Sequence, residues 1–304
     1  MVLVFGALAP DLFTRASWLN TSQYAVEFLL LAIGQTFVII TGGIDLSDGA
    51  VLGLTGMVAG VTMQAMLNSH INSLFTTFVG FAVALLLGAF IGFLNGFLIT
   101  RLKLPPFIVT LGTLTAVGAA PQLINGGNEV INLPSQIATI GSSVLLGGWI
   151  YVTVLVAAVA CVVMGLVLHR TRFGLRTFAI GSNNLGARRA GVNVDRHLVR
   201  VYTISGFLAG LAGMMVMANF DAATPVAGQN DELNAIAAVV IGGASLFGGR
   251  GTMLGTVVGT FIIALLTTGL VLVGVSGSWQ EVATGVIIVA AVAIDQVRLR
   301  LAER

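Results

Sequence analysis

The chain has 304 residues, of which 57% are apolar and only 9% charged, with 14 basic against 12 acidic side chains. Soluble domains carry about 25% charged residues, so a mean hydropathy of +1.00 excludes a water-clad surface and points to a polytopic membrane protein. The basic residues lie in loops between apolar runs, where they orient membrane segments, and nucleic acid is not expected as a partner.

The first apolar run, Val2–Ala9, ends at Pro10. Crossing a bilayer takes about 20 residues, so this run reads as the tail of a first transmembrane helix. Further spans are expected at Tyr24–Thr41, Ala50–Leu67, Leu74–Ile99, Phe107–Ile124, Val144–Leu168, Tyr202–Phe220, Asn234–Phe247, Thr252–Val273 and Gln280–Ile294. Together they make an all-α, polytopic membrane protein with about ten transmembrane helices in a single membrane domain, 1–304. The span at Asn234–Phe247 is short enough to be a broken or re-entrant element.

Arginine and lysine set the orientation. Arg101, Lys103, seven arginines from Arg170 to Arg200, Arg250, Arg298, Arg300 and Arg304 fall on one side of these spans, and Arg15 alone on the other. Both termini and a long basic loop at about 169–201 are therefore expected in the cytoplasm.

Glycines recur at four-residue steps: Gly88, Gly92 and Gly96; Gly206 and Gly210; Gly251, Gly255 and Gly259. That spacing places them on one helix face, where backbones can approach closely. Val38–Leu46 and Val239–Leu246 resemble one another at an offset of 200 to 201 residues, which suggests two pseudo-repeated halves. Interrupted helices at matching places in two halves tend to lie near a transport path.

The first of these interruptions, Thr41–Gly49, holds paired glycines and two carboxylates. A carboxylate at membrane depth costs several kcal/mol unless it is paired or faces water. Gly42, Gly43, Asp45 and Ser47 then line a pathway or its gate, or else Asp45 or Ser47 caps the next helix through its backbone N–H groups. Gln35, Asn95, Thr110, Thr113 and Thr115 are further candidates for lining a path, and equally for bonding to neighbouring helices.

Thr41–Ser47 followed by a glycine, Phe107–Thr113, the turn Gly191–Arg196 and the long run Ala235–Gly251 together resemble the permease subunits of bacterial monosaccharide ABC importers of the ribose type. The resemblance runs in order from about Phe13 to Asp295. Two features depart from it: Asp48, where the family has a small apolar residue, and the short first helix. What it implies is a homodimer in the inner membrane, two ABC ATPase subunits on the cytoplasmic face and a periplasmic sugar-binding protein. The short stretch Asn184, Ala187, Arg188, Arg189 and Gly191, entered through Ser182 or Asn183, would then be the helix that couples to the ATPase. An ordinary basic loop attracted to anionic lipid is the plainer reading of Arg170, Arg172 and Arg176.

No phosphate-loop motif of the form Gly-x-x-x-x-Gly-Lys-Ser/Thr occurs, so ATP binding of that kind belongs elsewhere. His70, His169 and His197 are scattered over loops without ligand spacing, and Cys161 reads as a packed, inert thiol; no metal, cofactor or catalytic residue is expected. The polar loop residues Asp221, Thr224, Pro225, Gln229, Asp231 and Glu232 suit contact with a binding protein on the outer face. The competing functions are a branched-chain amino-acid ABC permease and an ion-coupled carrier. The carrier would need intramembrane charges, and beyond Asp45 and Asp48 only Glu27 and Glu281 are on offer, both read as lying near outer ends.

Overall fold

A computed structural model describes residues 5–6 and 8–302, apart from the side chains of residues 288, 291–292 and 294–302. Its centre is helix α1, Arg15–Ile40. Its second half is apolar on nearly every side, and from Leu30 to Ile40 every residue is buried. A helix apolar on all sides belongs in the interior. It is followed by α2 (Asp48–Asn68), α3 (Ser73–Arg101) and α4 (Pro106–Leu123). After the short α5 (Ser135–Ser142) come α6 (Val152–Arg170), α7 (Arg172–Ser182) and α8 (Asn184–Arg189). The second central helix is α9 (Val194–Phe220), and α10 (Asp231–Ile241), α11 (Met253–Leu272) and α12 (Gly277–Ala302) complete the chain.

Seven of these helices (α1 to α4, α6, α9 and α11) are long and apolar enough to cross a membrane, counted among the described residues. The fold is thus all-α and polytopic. The span expected at Asn234–Phe247 becomes α10, whose 11 residues reach only about 16 Å. Half of the Val2–Ala9 stretch, residues 2–4 and 7, lies outside the described residues.

Three boundaries differ most from expectation, the first being α1, which begins at Arg15 rather than Tyr24. Residues 144–151 begin no helix; they form a hairpin in which β1 (Val144–Leu145) pairs antiparallel with β2 (Ile150–Tyr151). Apolar β-branched residues hide this turn in a hydropathy profile, and Gly147 and Gly148 mark it. Arg15 holds the hairpin, donating to the Gly148 carbonyl at 3.0 Å and lying over the Trp149 ring. The helix expected from Tyr202 starts at Val194, inside the supposed loop. Asn193 caps it, its Oδ1 accepting from the Arg196 N–H at 3.0 Å. The polar first turns masked that start.

The glycine steps do what four-residue spacing implies. On α3 and α9, a Cβ at Gly92 would lie 2.1 Å from the Tyr202 carbonyl oxygen, and one at Gly206 2.1 Å from that of Gly88. Only glycine permits so close a crossing. Gly255 and Gly259 seat α11 against α10 in the same way. Hydroxyl pairs tie α11 to α1: Thr36 with Thr256 at 2.6 Å and Thr21 with Thr268 at 3.0 Å.

Candidate functional site

Helix α1 ends in a glycine turn. The Gly42 N–H donates to the Ile39 carbonyl at 2.9 Å and the Gly43 N–H to that of Val38 at 3.1 Å. Gly42 takes φ +82°, a left-handed conformation that a side chain would strain. Gly43 serves a different need, since a Cβ there would stand 2.5 Å from the Tyr202 hydroxyl. The chain then runs through Ile44–Ser47 and enters α2 at Asp48.

This junction is lined with polar groups that are almost fully buried: Gln35, Asp45, Ser47, Asp48, Asn95, Thr110 and Ser205. They form a connected chain. The Asp45 carboxylate accepts from the Ser47 hydroxyl at 2.6 Å and the Ser47 N–H at 3.0 Å. Asn95 on α3 donates to the Ser47 hydroxyl at 2.9 Å, and its carbonyl oxygen accepts from Thr113 on α4 at 2.6 Å. Thr110 donates to the Ile44 carbonyl at 3.2 Å. The Gln35 amide bonds to the Asp45 main chain, and Ser205 on α9 donates to the Asp48 carboxylate at 3.1 Å. Five helices are thereby stitched to one break. Buried polar groups so paired hold a single arrangement, whereas each one left unpaired costs about 1–3 kcal/mol.

All seven residues assigned from sequence to the gate meet here. Of the two cap candidates, Ser47 makes no side-chain cap bond, and Asp45 reaches only the Ser47 N–H, at the cap position itself. The Ser47 hydroxyl is spent on Asp45 instead. Three members were missed: Ser205, Tyr202 and Glu232. The Tyr202 hydroxyl and one Glu232 oxygen are buried without a hydrogen-bond partner among the described residues, the latter packed against Gly49. The only sequence signal was their place on small-residue faces, since nothing local reports a contact across 157 residues.

A second break repeats the backbone of the first. After α10, Gly243 takes φ +89° and its N–H donates to the Val240 carbonyl at 2.9 Å, while Ala244 donates to Val239 at 3.1 Å. The two breaks touch: the Gly249 N–H donates to the Ile40 carbonyl at 2.8 Å. Gly181, in the last turn of α7, closes the junction, and a Cβ there would lie 1.7 Å from the Ile40 oxygen. The basic segment therefore rests directly on both breaks.

Within that segment α8 is a capped single helix. The Asn183 side chain accepts from the Gly186 N–H at 2.7 Å, and Gly191 at φ +82° ends the helix with its N–H on the Arg188 carbonyl. The residues assigned to coupling divide by role. Ala187 is buried with Ile180 and Val194 in a small apolar cluster that fastens α8 down. Arg188 is bound to Asp195 on α9, and this bond raises its guanidinium above an already high ordinary pKa. Asn184 and Arg189 face outward beside Leu185, an exposed apolar side chain that sequence reasoning passed over.

The histidines also need correction. His197 sits in the first turn of α9, buried, with its Nε2 2.9 Å from the Thr177 hydroxyl, and His169 accepts from the Met253 N–H at 3.2 Å from the end of α6. Both are structural links between helices. In the loop expected to meet a binding protein, Pro225 and Glu232 are buried, Thr224 and Asp231 are partly buried, and only Asp221 and Gln229 of the six are exposed. Glu27 lies at the middle of α1, not near its end.

A helical bundle with several membrane-length helices, a buried polar break and a short capped helix resting on it is the build of a multi-pass membrane protein. The chain belongs to the family described as the permease component of branched-chain amino acid transport systems, whose model matches residues 17–292. It is 39% identical to the ribose import permease protein RbsC of Bacillus subtilis (strain 168), over 97% of this chain and 89% of that one. RbsC of Escherichia coli (strain K12) is 35% identical over 97% of this chain and 90% of its own. The fructose import permease protein FrcC of Rhizobium meliloti is also 35% identical, over 97% of this chain and 82% of its own. No solved structure matches.

Proposed function

We propose that this protein is the membrane-spanning subunit of an ABC importer that passes a monosaccharide inward through the bacterial inner membrane. The observation that carries the reading is the near-full-length similarity to permeases named for ribose and fructose import. In this reading a periplasmic binding protein delivers the sugar, and ATP hydrolysis in a separate subunit drives its passage. Two copies of the chain enclose the path. Both termini and the loop lie in the cytoplasm, and about ten spans fall into two pseudo-repeated halves. The matched geometry of the two glycine breaks supports that duplication.

The gate is the Gly42–Ser47 junction with Asn95, Thr110 and Thr113, and the handle is α8. An ATPase seated on Leu185, Asn184 and Arg189 would push on Gly181, which bears on Ile40 and Gly249. Force applied at the handle thus reaches both breaks through main-chain contact. The family description favours a second reading, transport of branched-chain amino acids. Uptake of labelled D-ribose, D-fructose, D-allose and L-leucine by cells expressing the complete transporter separates the two. Sugar uptake with co-purification of a stoichiometric ATPase is expected; leucine uptake alone would overturn the assignment.

A further inference from the structure

Away from the break, one cleft has chemistry that the gate and the handle do not use. It lies between α1 and the end of α9, with a volume of ≈ 200 Å³, and is lined by Asn20, Gln23, Tyr24, Glu27, Asn219 and Phe220. Ligand sites for drug-sized molecules run to roughly 300–1,000 Å³, so this one suits a single small ring. Asn20, Gln23 and Glu27 share one face of α1 at steps of three and four residues, a ladder about 10 Å deep. Gln23 reaches Asn219 at 3.5 Å.

Glu27 is the unusual member. It stands midway along a 26-residue helix, and no hydrogen bond or ion pair reaches its carboxylate among the described residues. The charge that faces it, Asp231, is acidic as well. An ionisable group at such depth needs a partner or water, and it marks a functional place by default. The remaining lining says which partner fits. Three amides offer both donors and acceptors, and two aromatic rings offer apolar faces. Hard cations instead take six or more oxygens in a tight shell, and amide N–H groups work against that.

We propose that this cleft is a weak sugar subsite, in which the Glu27 carboxyl and the Gln23 and Asn219 amides bond to ring hydroxyls while Tyr24 and Phe220 cover the ring's C–H face. The inference rests on the sugar-permease reading. The Glu27 carboxyl can both accept from and donate to ring hydroxyls and has no other partner among the described residues, so it carries most of the interaction. One wall with few contacts also lets the sugar leave again, as transport requires.

The test uses the complete transporter in right-side-out vesicles, with Asn20→Cys introduced into a Cys161→Ser background and an impermeant maleimide as reporter. Free D-ribose, D-fructose and D-allose are added in turn, with L-leucine and sodium chloride as controls. At least one sugar should slow labelling several-fold. Glu27→Leu should abolish that protection and lower sugar uptake by about tenfold or more, and Glu27→Gln should keep part of both. Membrane level and retained ATPase in the Glu27→Gln variant report on folding. Labelling unchanged by every sugar overturns the subsite, whatever the uptake of the variants. Protection by sodium alone overturns it in favour of a cation. Failure of the underlying reading looks different: the unmodified transporter would take up leucine and none of the sugars.

Discussion

The α1–α2 break and the basic segment around α8 both interrupt apolar sequence with polar residues, yet the structure treats them oppositely. At the break, carboxylates, amides and hydroxyls are buried and bonded to one another across five helices. Around α8 all seven arginines are exposed, and the ion pair described there is a single one, Arg188 with Asp195. Polar groups satisfied inside the protein fix a shape. Polar groups left facing outward are free to meet a partner, and their loss leaves the shape standing.

Four mutational experiments sharpen or break that contrast. The largest effect is expected from Gly43→Val, whose side chain would enter the space of the Tyr202 hydroxyl and Val38. Folded protein in the membrane and uptake should both disappear, as read by size-exclusion profile and transport. Normal assembly would show that the break tolerates volume and is no rigid joint.

Reversing both charges of the handle, Arg188→Glu with Arg189→Glu, comes next. Uptake and ATPase co-purification should be lost while the protein stays folded in the membrane. Transport at ordinary rates would separate α8 from coupling.

A middle effect is expected at the carboxylates. Asp45 accepts two bonds from Ser47, at 2.6 and 3.0 Å, while Ser205 donates to Asp48 at the longer 3.1 Å. Asp45→Asn should therefore slow transport several-fold and lower stability by about 1–3 kcal/mol, and Asp48→Asn should do less. Equal and near-normal behaviour of the pair would reduce the network to a spacer.

The smallest effect belongs to Asp195→Asn. It frees Arg188 from an exposed ion pair, and such pairs contribute about 0–1 kcal/mol and are screened by salt. Thermal stability should hardly move, and less so at high salt. A large drop would mean that α8 depends on that bond rather than on Ala187.

The fold was legible where local chemistry suffices. Hydropathy placed the cores of α2, α3, α4 and α11 within a few residues, and glycine spacing announced the α3–α9 crossing. Asn183 and Gly191 announced α8, since a cap and a left-handed turn are properties of short segments. Hydropathy failed where polarity and structure part company. The apolar hairpin at 144–151 looked like helix, and the polar first turns of α9 looked like loop.

The site divides along the same line. Sequence alone determined that this is a membrane protein, that its chain breaks at Gly42–Gly43, and that Asp45, Ser47, Asn95, Thr110 and Thr113 are too polar to be idle there. Only the tertiary structure decided that Ser205 meets Asp48, that Gly249 meets Ile40, and that Glu27 opens into a cleft with Asn219. Propensity and polarity act over a few residues along the chain. Pairing a buried carboxylate with its donor depends on which helices cross, and the crossing is set by the packing of all of them.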